Sequence, residues 1–237
     1  MKTRDLGDFS HFKPQCFDRR VTIFGGHYGS GKTNAATSYA LALKSAGRKV
    51  GVFDLDIVNP YFRTKDAAEI FESAGIDLVA SEYANTNVDI PAMTAEFYRL
   101  TGDRSSFAVA DVGGDDRGAL ALGRYKDEII RENDYNFLFV LNRFRPETRT
   151  VSGAERIMRE IEKACGIPFT GVVNNPNLGA ETTAETINSS FAFASEFCAE
   201  VGLNIEFSCV LGRLMKNFED KNVLPVLPIK IGDWAEE

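Results

Sequence analysis

Short apolar runs alternate along this chain with longer stretches in which apolar residues recur every three or four positions. The short runs are rich in β-branched and aromatic residues and predict strands, whereas the longer stretches have the period of helices. This alternation is typical of a parallel β-sheet with helices on both faces. The predicted strands are residues 21–25, 49–55, 76–80, 106–111, 135–141, 169–173 and 205–211. The predicted helices are residues 32–46, 63–74, 92–101, 117–132, 147–165 and 183–201.

Polar residues mark the ends of the predicted strands. Each strand ends at, or is followed directly by, a Gly, Asp, Asn or Ser. Ligands of open α/β sheets bind outside the carboxyl ends of the strands. We therefore expect the chemistry of this protein to lie at that edge of the sheet.

The chain has 237 residues, and no linker-like stretch interrupts its middle. The sequence therefore predicts a single domain over residues 20–237, preceded by a lead-in segment at residues 1–19. Phe9, Phe12 and Phe17 are the residues that would attach this segment to the domain.

Composition narrows the possible partners and the compartment. The chain is 44% hydrophobic with a formal net charge of -7, which argues against nucleic acid as its main ligand. No apolar run approaches the roughly 20 residues that span a bilayer, and the N-terminus lacks the apolar core of a signal peptide. We expect a cytoplasmic protein that does not bind membranes. The cysteines form no C-x-x-C pair and predict reduced thiols, at Cys16, Cys165, Cys198 and Cys209.

A glycine-rich motif directly follows the first predicted strand. Residues 26–33 read GHYGSGKT, which fits the phosphate-loop pattern G-x-x-x-x-G-K-[ST], between a strand and a helix as that pattern requires. Backbone amides of such a loop surround phosphate oxygens, Lys32 adds a positive charge, and Thr33 offers a hydroxyl to Mg²⁺. The predicted nucleotide-binding residues here are Gly26, His27, Tyr28, Gly29, Ser30, Gly31, Lys32, Thr33 and Asn34.

Two acidic segments complete the predicted site, one at Asp111 and the other at Asp54 and Asp56. Asp111 ends an apolar predicted strand and begins the sequence D-V-G-G. A carboxylate at this position would hold a water of the Mg²⁺ shell, and the glycine pair beside it would sense the γ-phosphate. Asp54 and Asp56 alternate on the strand that follows the phosphate-loop helix. Asp56 is the more terminal, and we predict that it serves the metal or the attacking water, with Asp54 in support.

Together these motifs resemble the SIMIBI class of P-loop NTPases, in particular the ParA/MinD-like (CobQ/CobB/MinD/ParA) branch. The resemblance spans residues 20–215 and includes the sequence G-V-V-N-N at residues 171–175, where relatives place an Asn that contacts adenine. It implies a three-layer α/β/α P-loop NTPase fold with a mostly parallel sheet of about seven strands. It also implies ATP and Mg²⁺ as cofactors. The implied roles are catalysis by Lys32 and Asp56, metal binding by Thr33, Asp56 and Asp111, and base recognition by Asn174 or its neighbour Asn175.

The chain departs from that branch at three places. His27 stands where the branch usually has a lysine that reaches the phosphates of the other subunit of a dimer. No cysteine lies near Asp111, which disfavours an iron–sulfur cluster shared between subunits. Residues 224–229 are broken by prolines, unlike the basic amphipathic membrane helix of MinD.

Three functions fit these residues. The first is an ATPase with slow or partner-dependent turnover that acts as a switch through a homodimer or a partner protein. The second is an ATP-dependent metabolic enzyme, similar to dethiobiotin synthetase or the cobyrinate amidating enzymes, that catalyses carboxylate activation, amidation or phosphoryl transfer. The third is a nucleotide-binding scaffold without turnover. In the second case the anionic acceptor would be bound by Arg63, Lys65, Arg143 and Arg145.

ATP is favoured over GTP because the guanine-reading sequence N-K-x-D is absent. The candidate segment reads Asn142-Arg143-Phe144-Arg145 and ends in a cation where guanine recognition needs an acid.

Overall fold

A computed structural model of the chain describes residues 8–55, 65–80, 103–114, 116–218 and 223–226. Eight strands in these ranges form one sheet in which every neighbouring pair is parallel. The strands are β1 (Val21–Gly25), β2 (Lys49–Leu55), β3 (Asp77–Ala80), β4 (Ser106–Val112), β5 (Tyr135–Leu141), β6 (Gly171–Asn174), β7 (Ile205–Leu211) and β8 (Val223–Val226). Their order across the sheet is β3-β2-β4-β1-β5-β6-β7-β8. The predicted α/β fold with parallel strands is confirmed.

The strand count was predicted too low. β8 was not predicted because Pro225 interrupts its apolar sequence, and a proline cannot donate to the hydrogen-bond ladder. β8 lies at the edge of the described sheet and pairs with β7, where proline is tolerated. The described part of the sheet therefore has eight strands, and the seven predicted strands are present with bounds shifted by at most two residues.

The described helices are α1 (Lys32–Ser45), α2 (Lys65–Ala74), α3 (Asp116–Gly123), α4 (Lys126–Glu132), α5 (Val151–Cys165) and α6 (Ala184–Val201). The single helix predicted over residues 117–132 is wrong, because a break after Gly123 divides it into α3 and α4. The N-terminus of α5 is set by Thr150, whose side chain accepts from the Gly153 amide. The helix predicted at residues 92–101 lies outside the described residues. None of the helices in the described ranges is long and apolar enough to span a membrane.

The helices divide between the two faces of the sheet. On one face, α1 and Phe71 of α2 pack on the strand residues Phe24, Val52 and Val109. On the other face, α3, α4, α5 and α6 cover their sequence neighbours, including Ile23, Phe53 and Ala110. Alternate residues of one strand thus enter opposite cores, as the pleat requires. The three-layer α/β/α architecture is confirmed.

Aromatic residues anchor the N-terminal segment to the α1 face. Phe9, Phe12 and Phe17 are buried in the same core as Tyr39 of α1. The Phe12 and Phe17 rings meet Tyr39 edge-on, and the Phe207 ring stacks on Tyr39. Residues 9–17 therefore contribute directly to the core beneath α1.

A buried hydrogen bond fixes the middle of α1. The Tyr39 hydroxyl donates to the Cys16 carbonyl oxygen at 3.1 Å and lies 3.2 Å from the Thr22 hydroxyl. We expect Tyr39→Phe to lower the free energy of unfolding in urea by about 1 kcal/mol, because the buried polar contact is lost. The control is Tyr28→Phe, whose ring is exposed, and it should leave stability unchanged. Equal stability of the two variants would contradict this role.

Parallel pairing brings all the strand carboxyl ends to one edge. β1 lies between β4 and β5, so the loops that follow these three strands are neighbours. β1 leads to α1 on one face of the sheet, whereas β4 leads to α3 on the other. Such a divergence of connections opens a crevice at the carboxyl edge, where ligands of α/β sheets bind.

Candidate functional site

The glycine-rich loop joins β1 to α1 in a curled conformation. Gly31 is the N-cap of α1 with a left-handed φ of 88°, and a Cβ there would collide with the Asn175 amide nitrogen. A Cβ at Gly26 would lie 2.8 Å from the Val140 carbonyl oxygen, so this residue must also be glycine. The amides of the first turn of α1 point back toward the loop, and a helix N-terminus with such amides attracts anions.

Lys32 places its positive charge within the loop. Its side chain is buried, and its Nζ donates to the His27 carbonyl oxygen at 3.2 Å. The lysine therefore folds back over the curled segment instead of extending into solvent. A buried ammonium at the N-terminus of a helix favours an anionic ligand.

Thr33 and Asp111 join α1 to the end of β4. The Thr33 hydroxyl donates to Asp111 Oδ2 at 2.6 Å, and Asp111 is buried. Asp54 of β2 is paired in register with Asp111, so the two buried carboxylates are neighbours on the same face of the sheet. A hydroxyl beside buried carboxylates is a donor set that fits Mg²⁺, which prefers oxygen ligands. Asp56 lies outside the described residues.

Gly113 and Gly114, the last two residues of the D-V-G-G sequence, begin the loop that follows β4, here called the β4 loop, and this loop closely approaches the phosphate loop. A Cβ at Gly114 would lie 2.6 Å from the Tyr28 nitrogen and 2.8 Å from Lys32 Nζ. The backbone of Gly114 can approach so closely only because no side chain intervenes. A ligand group bound at Lys32 would therefore also meet the β4 loop.

The side chains of Asn174 and Asn175 have different partners. Asn175 Nδ2 donates to the Ser30 carbonyl oxygen at 2.6 Å, which brings this side chain to the phosphate loop. Asn174 Nδ2 instead donates to Ser190 Oγ at 2.9 Å and to Ser208 Oγ at 3.3 Å. Base recognition by either residue remains a prediction, and Asn175 is the one beside the loop.

Two buried oxygens of the phosphate-loop segment have no hydrogen-bond partner among the described residues. They are the Ser30 hydroxyl in the phosphate loop and Asn34 Oδ1 in the first turn of α1. Buried polar atoms of this kind are rare in folded proteins and commonly mark a ligand or water position. Both residues belong to the predicted binding segment.

Two contacts from the segment after β5 were missed by the sequence analysis. Arg145 Nε donates to the Gly29 carbonyl oxygen at 2.6 Å, and Glu147 Oε2 lies 3.8 Å from His27 Nδ1. No local sequence signal marks these contacts, because more than 100 residues separate the partners.

Arg143, another cation proposed for an acceptor, does not join them. Arg143 lies over the Phe193 ring and donates to the Ser189 carbonyl oxygen, on α6. Arg63 and the Lys65 side chain lie outside the described part of the chain.

The four cysteines are buried as free thiols. Burial raises the pKa of Cys16 to about 12 and that of Cys198 to about 11, and it also raises the pKa values of Cys165 and Cys209. Thiolates, which metals require, are thereby disfavoured at neutral pH. Within the described ranges, no three His, Cys, Asp or Glu residues gather in a metal-binding group.

A glycine-rich loop between a strand and a helix, a buried lysine and a hydroxyl–carboxylate pair at the sheet edge define a P-loop nucleotide-binding domain. The sequence profile of CbiA, the CobQ/CobB/MinD/ParA nucleotide binding domain, matches residues 21–185. The chain belongs to this family, as the motifs predicted.

One curated relative is similar over a shorter region. The cytosolic Fe-S cluster assembly factor cfd1 of Emericella nidulans is 31% identical over 96 residues. The match covers 40% of this chain and 27% of the relative.

Several solved structures have a similar fold. The cell division protein FtsY of Thermotoga maritima has a TM-score of 0.57 at 14% identity, covering 88% of this chain and 67% of FtsY. Chloroplast FtsY of Physcomitrella patens has a TM-score of 0.56 at 15% identity, covering 88% and 61%. FlhF complexed with GMPPNP/Mg²⁺ has a TM-score of 0.51 at 13% identity, covering 89% and 73%. At these identities the likeness concerns the fold alone.

Proposed function

We propose that this protein binds Mg-ATP at Gly26–Thr33 and acts as a nucleotide-dependent switch, through a homodimer or a partner protein, with slow hydrolysis. The observation that carries the proposal is the contact of Gly114 with Tyr28 and Lys32. The γ-phosphate bound at Lys32 would press on the β4 loop, and its loss would release that loop. A surface next to this loop would then differ between the ATP and ADP states.

Thr33 and Asp111 are the described residues that would hold Mg²⁺ in this proposal. When bound, the ion neutralises the phosphate charge and polarises the bond to the terminal phosphate. Lys32 would stabilise the charge that develops on the phosphate oxygens, and Asp56 is the residue proposed to orient the attacking water.

Adenine is the base that we favour. In the N-K-x-D sequence an acid reads guanine, whereas Arg145 stands at that position here, and the Asn142 side chain is occupied by the backbone. Its Nδ2 donates to the Asn177 carbonyl oxygen at 3.0 Å, and its Oδ1 accepts from the Phe144 amide at 3.1 Å. Asn174 and Asn175 are the two asparagines proposed for the base, and Asn175 is the one whose side chain contacts the phosphate loop.

The switch is tested by comparing the ATP-bound and ADP-bound protein. We expect turnover below about 1 s⁻¹, the low end of ordinary enzymes. Light scattering should then show an ATP-dependent change in mass, or amide exchange should show an ATP-dependent change at residues 111–114. Turnover above that rate with identical ATP and ADP states would contradict the switch.

The role of Asp111 gives a separate prediction. Mg²⁺ is expected to raise the affinity for ATP. We expect this gain to be about 10-fold smaller in Asp111→Asn than in the wild type, because a charge that would face the ion is removed. The measurement is the ATP dissociation constant with Mg²⁺ and with EDTA. Asp77→Asn, exposed at the opposite end of the sheet, is the control. An unchanged Mg²⁺ effect in Asp111→Asn would exclude this role.

The metabolic-enzyme alternative has less support. It needs cations that hold an anionic acceptor, but Arg143 contacts α6 and Arg145 contacts the phosphate loop. ADP release that depends on a particular carboxylate metabolite would favour it. Iron–sulfur assembly, the role in the name of the Emericella relative, would require exposed thiolates, whereas the four cysteines are buried.

A further inference from the structure

Arg145 lies directly against the phosphate loop. Its Nε donates to the Gly29 carbonyl oxygen at 2.6 Å. A Cβ at Gly29 would lie 3.3 Å from the guanidinium carbon, so the glycine allows the cation to rest on the loop. The Arg145 residue is exposed, and a guanidinium in this position is accessible to a ligand in the crevice.

The segment that carries Arg145 is held by hydrogen bonds. The Asn142 carbonyl oxygen accepts from the Arg145 amide at 3.1 Å and from the Thr148 hydroxyl at 2.6 Å. The Arg145 carbonyl oxygen in turn accepts from the Thr148 amide at 3.1 Å. Both Asn142 and Thr148 are buried. The backbone of Arg145 is thus fixed before any ligand binds, which reduces the entropy lost on binding.

Charge at the loop is low without Arg145. Lys32 is the one Lys or Arg in the sequence of residues 26–33, and His27 faces the Glu147 carboxylate. Among the described side chains, no carboxylate forms an ion pair with Arg145. With Nε occupied by Gly29, the two terminal nitrogens of the guanidinium present a fork that suits phosphate oxygens.

We propose that Arg145 binds the phosphate chain of the nucleotide held by its own subunit, as a second cation beside Lys32. The assignment rests on the proposed function, since it places Arg145 at that same nucleotide. In this assignment Arg145 binds the nucleotide and is no longer a candidate ligand for a separate anionic acceptor. In this role Arg145 adds a second positive charge to the nucleotide site, and no cation from another chain is required.

The test compares ATP affinity in three variants by calorimetry. Arg145→Gln retains an amide that can donate to Gly29 but removes the charge, and we expect affinity to fall about 10-fold. Arg145→Lys retains the charge without the fork and should recover part of that loss. Arg143→Gln is the matched control, two residues away and turned toward α6, and it should match the wild type.

The dependence of affinity on salt separates charge from structural support. Loss of an ion pair to phosphate should make ATP binding by Arg145→Gln less sensitive to salt than binding by the wild type. Equal affinity and equal salt dependence in Arg145→Gln and wild type would overturn the assignment while leaving nucleotide binding intact. Equal losses in Arg145→Gln and Arg145→Lys, with unchanged salt dependence, would overturn it in favour of loop support. A wild-type protein that binds no ATP would overturn both this assignment and the proposed function.

Discussion

Lys32→Ala is expected to weaken Mg-ATP binding by about 100-fold, the largest effect of any substitution considered for this chain. The lysine is buried, and its Nζ lies within the curled loop, 3.2 Å from the His27 carbonyl oxygen. A cation in such a water-poor site interacts with phosphate far more strongly than an exposed one. The measurement is the dissociation constant of Mg-ATP by calorimetry.

Lys44→Ala is the control for this prediction. Lys44 lies in the last turn of the same helix, and its Nζ donates to the Gly75 carbonyl oxygen at 2.7 Å. The Lys44→Ala substitution therefore removes an equal charge from α1, at the end of the helix that lies far from the loop. If the affinities of Lys32→Ala and Lys44→Ala differ by less than about three-fold, the difference is smaller than a single charged hydrogen bond contributes. That result would rule out phosphate binding by Lys32.

Gly114→Ala is expected to lower ATP affinity by about 30-fold and to abolish the difference between the ATP and ADP states, because the added methyl group overpacks the site. The new Cβ would lie 2.6 Å from the Tyr28 nitrogen, 2.7 Å from the Tyr28 Cα and 2.8 Å from Lys32 Nζ. Two of these neighbours are backbone atoms, so the β4 loop and the phosphate loop must separate. Calorimetry with ATP and light scattering in ATP and ADP measure the two effects.

Gly212→Ala provides the matched glycine control. Among the described residues, a Cβ at Gly212 meets no atom within 4 Å, so the same chemical change should leave both ATP affinity and the ATP-dependent change unaltered. If Gly114→Ala and Gly212→Ala behave alike, contact between the two loops does not transmit the state of the nucleotide.

The sequence predicts the features of this site that are local. The phosphate-loop motif is contiguous, and strand and helix periods place it between β1 and α1 without knowledge of distant residues. The same is true of Asp111, which ends an apolar strand. Short apolar runs also predict seven of the eight described strands, whereas the proline in β8 interrupts the run of the edge strand.

The remaining features depend on contacts between distant segments. The hydrogen bond from Arg145 to Gly29 spans 116 residues, and that from Asn175 to Ser30 spans 145. Asn174 and Asn175 are identical neighbours at the end of a strand, so only the register of β6 determines which one faces the loop. Residue patterns identify such candidates, but the packing of the sheet selects among them.

Backbone amide resonances of the 15N-labelled protein, titrated with Mg-ATP, test directly whether the loop binds a triphosphate. We predict that the amides of Gly29, Gly31, Lys32 and Thr33 shift most and saturate together, with smaller shifts at Gly114. Saturation with no change at these amides, or with the largest changes elsewhere on the protein, would contradict phosphate binding by this loop.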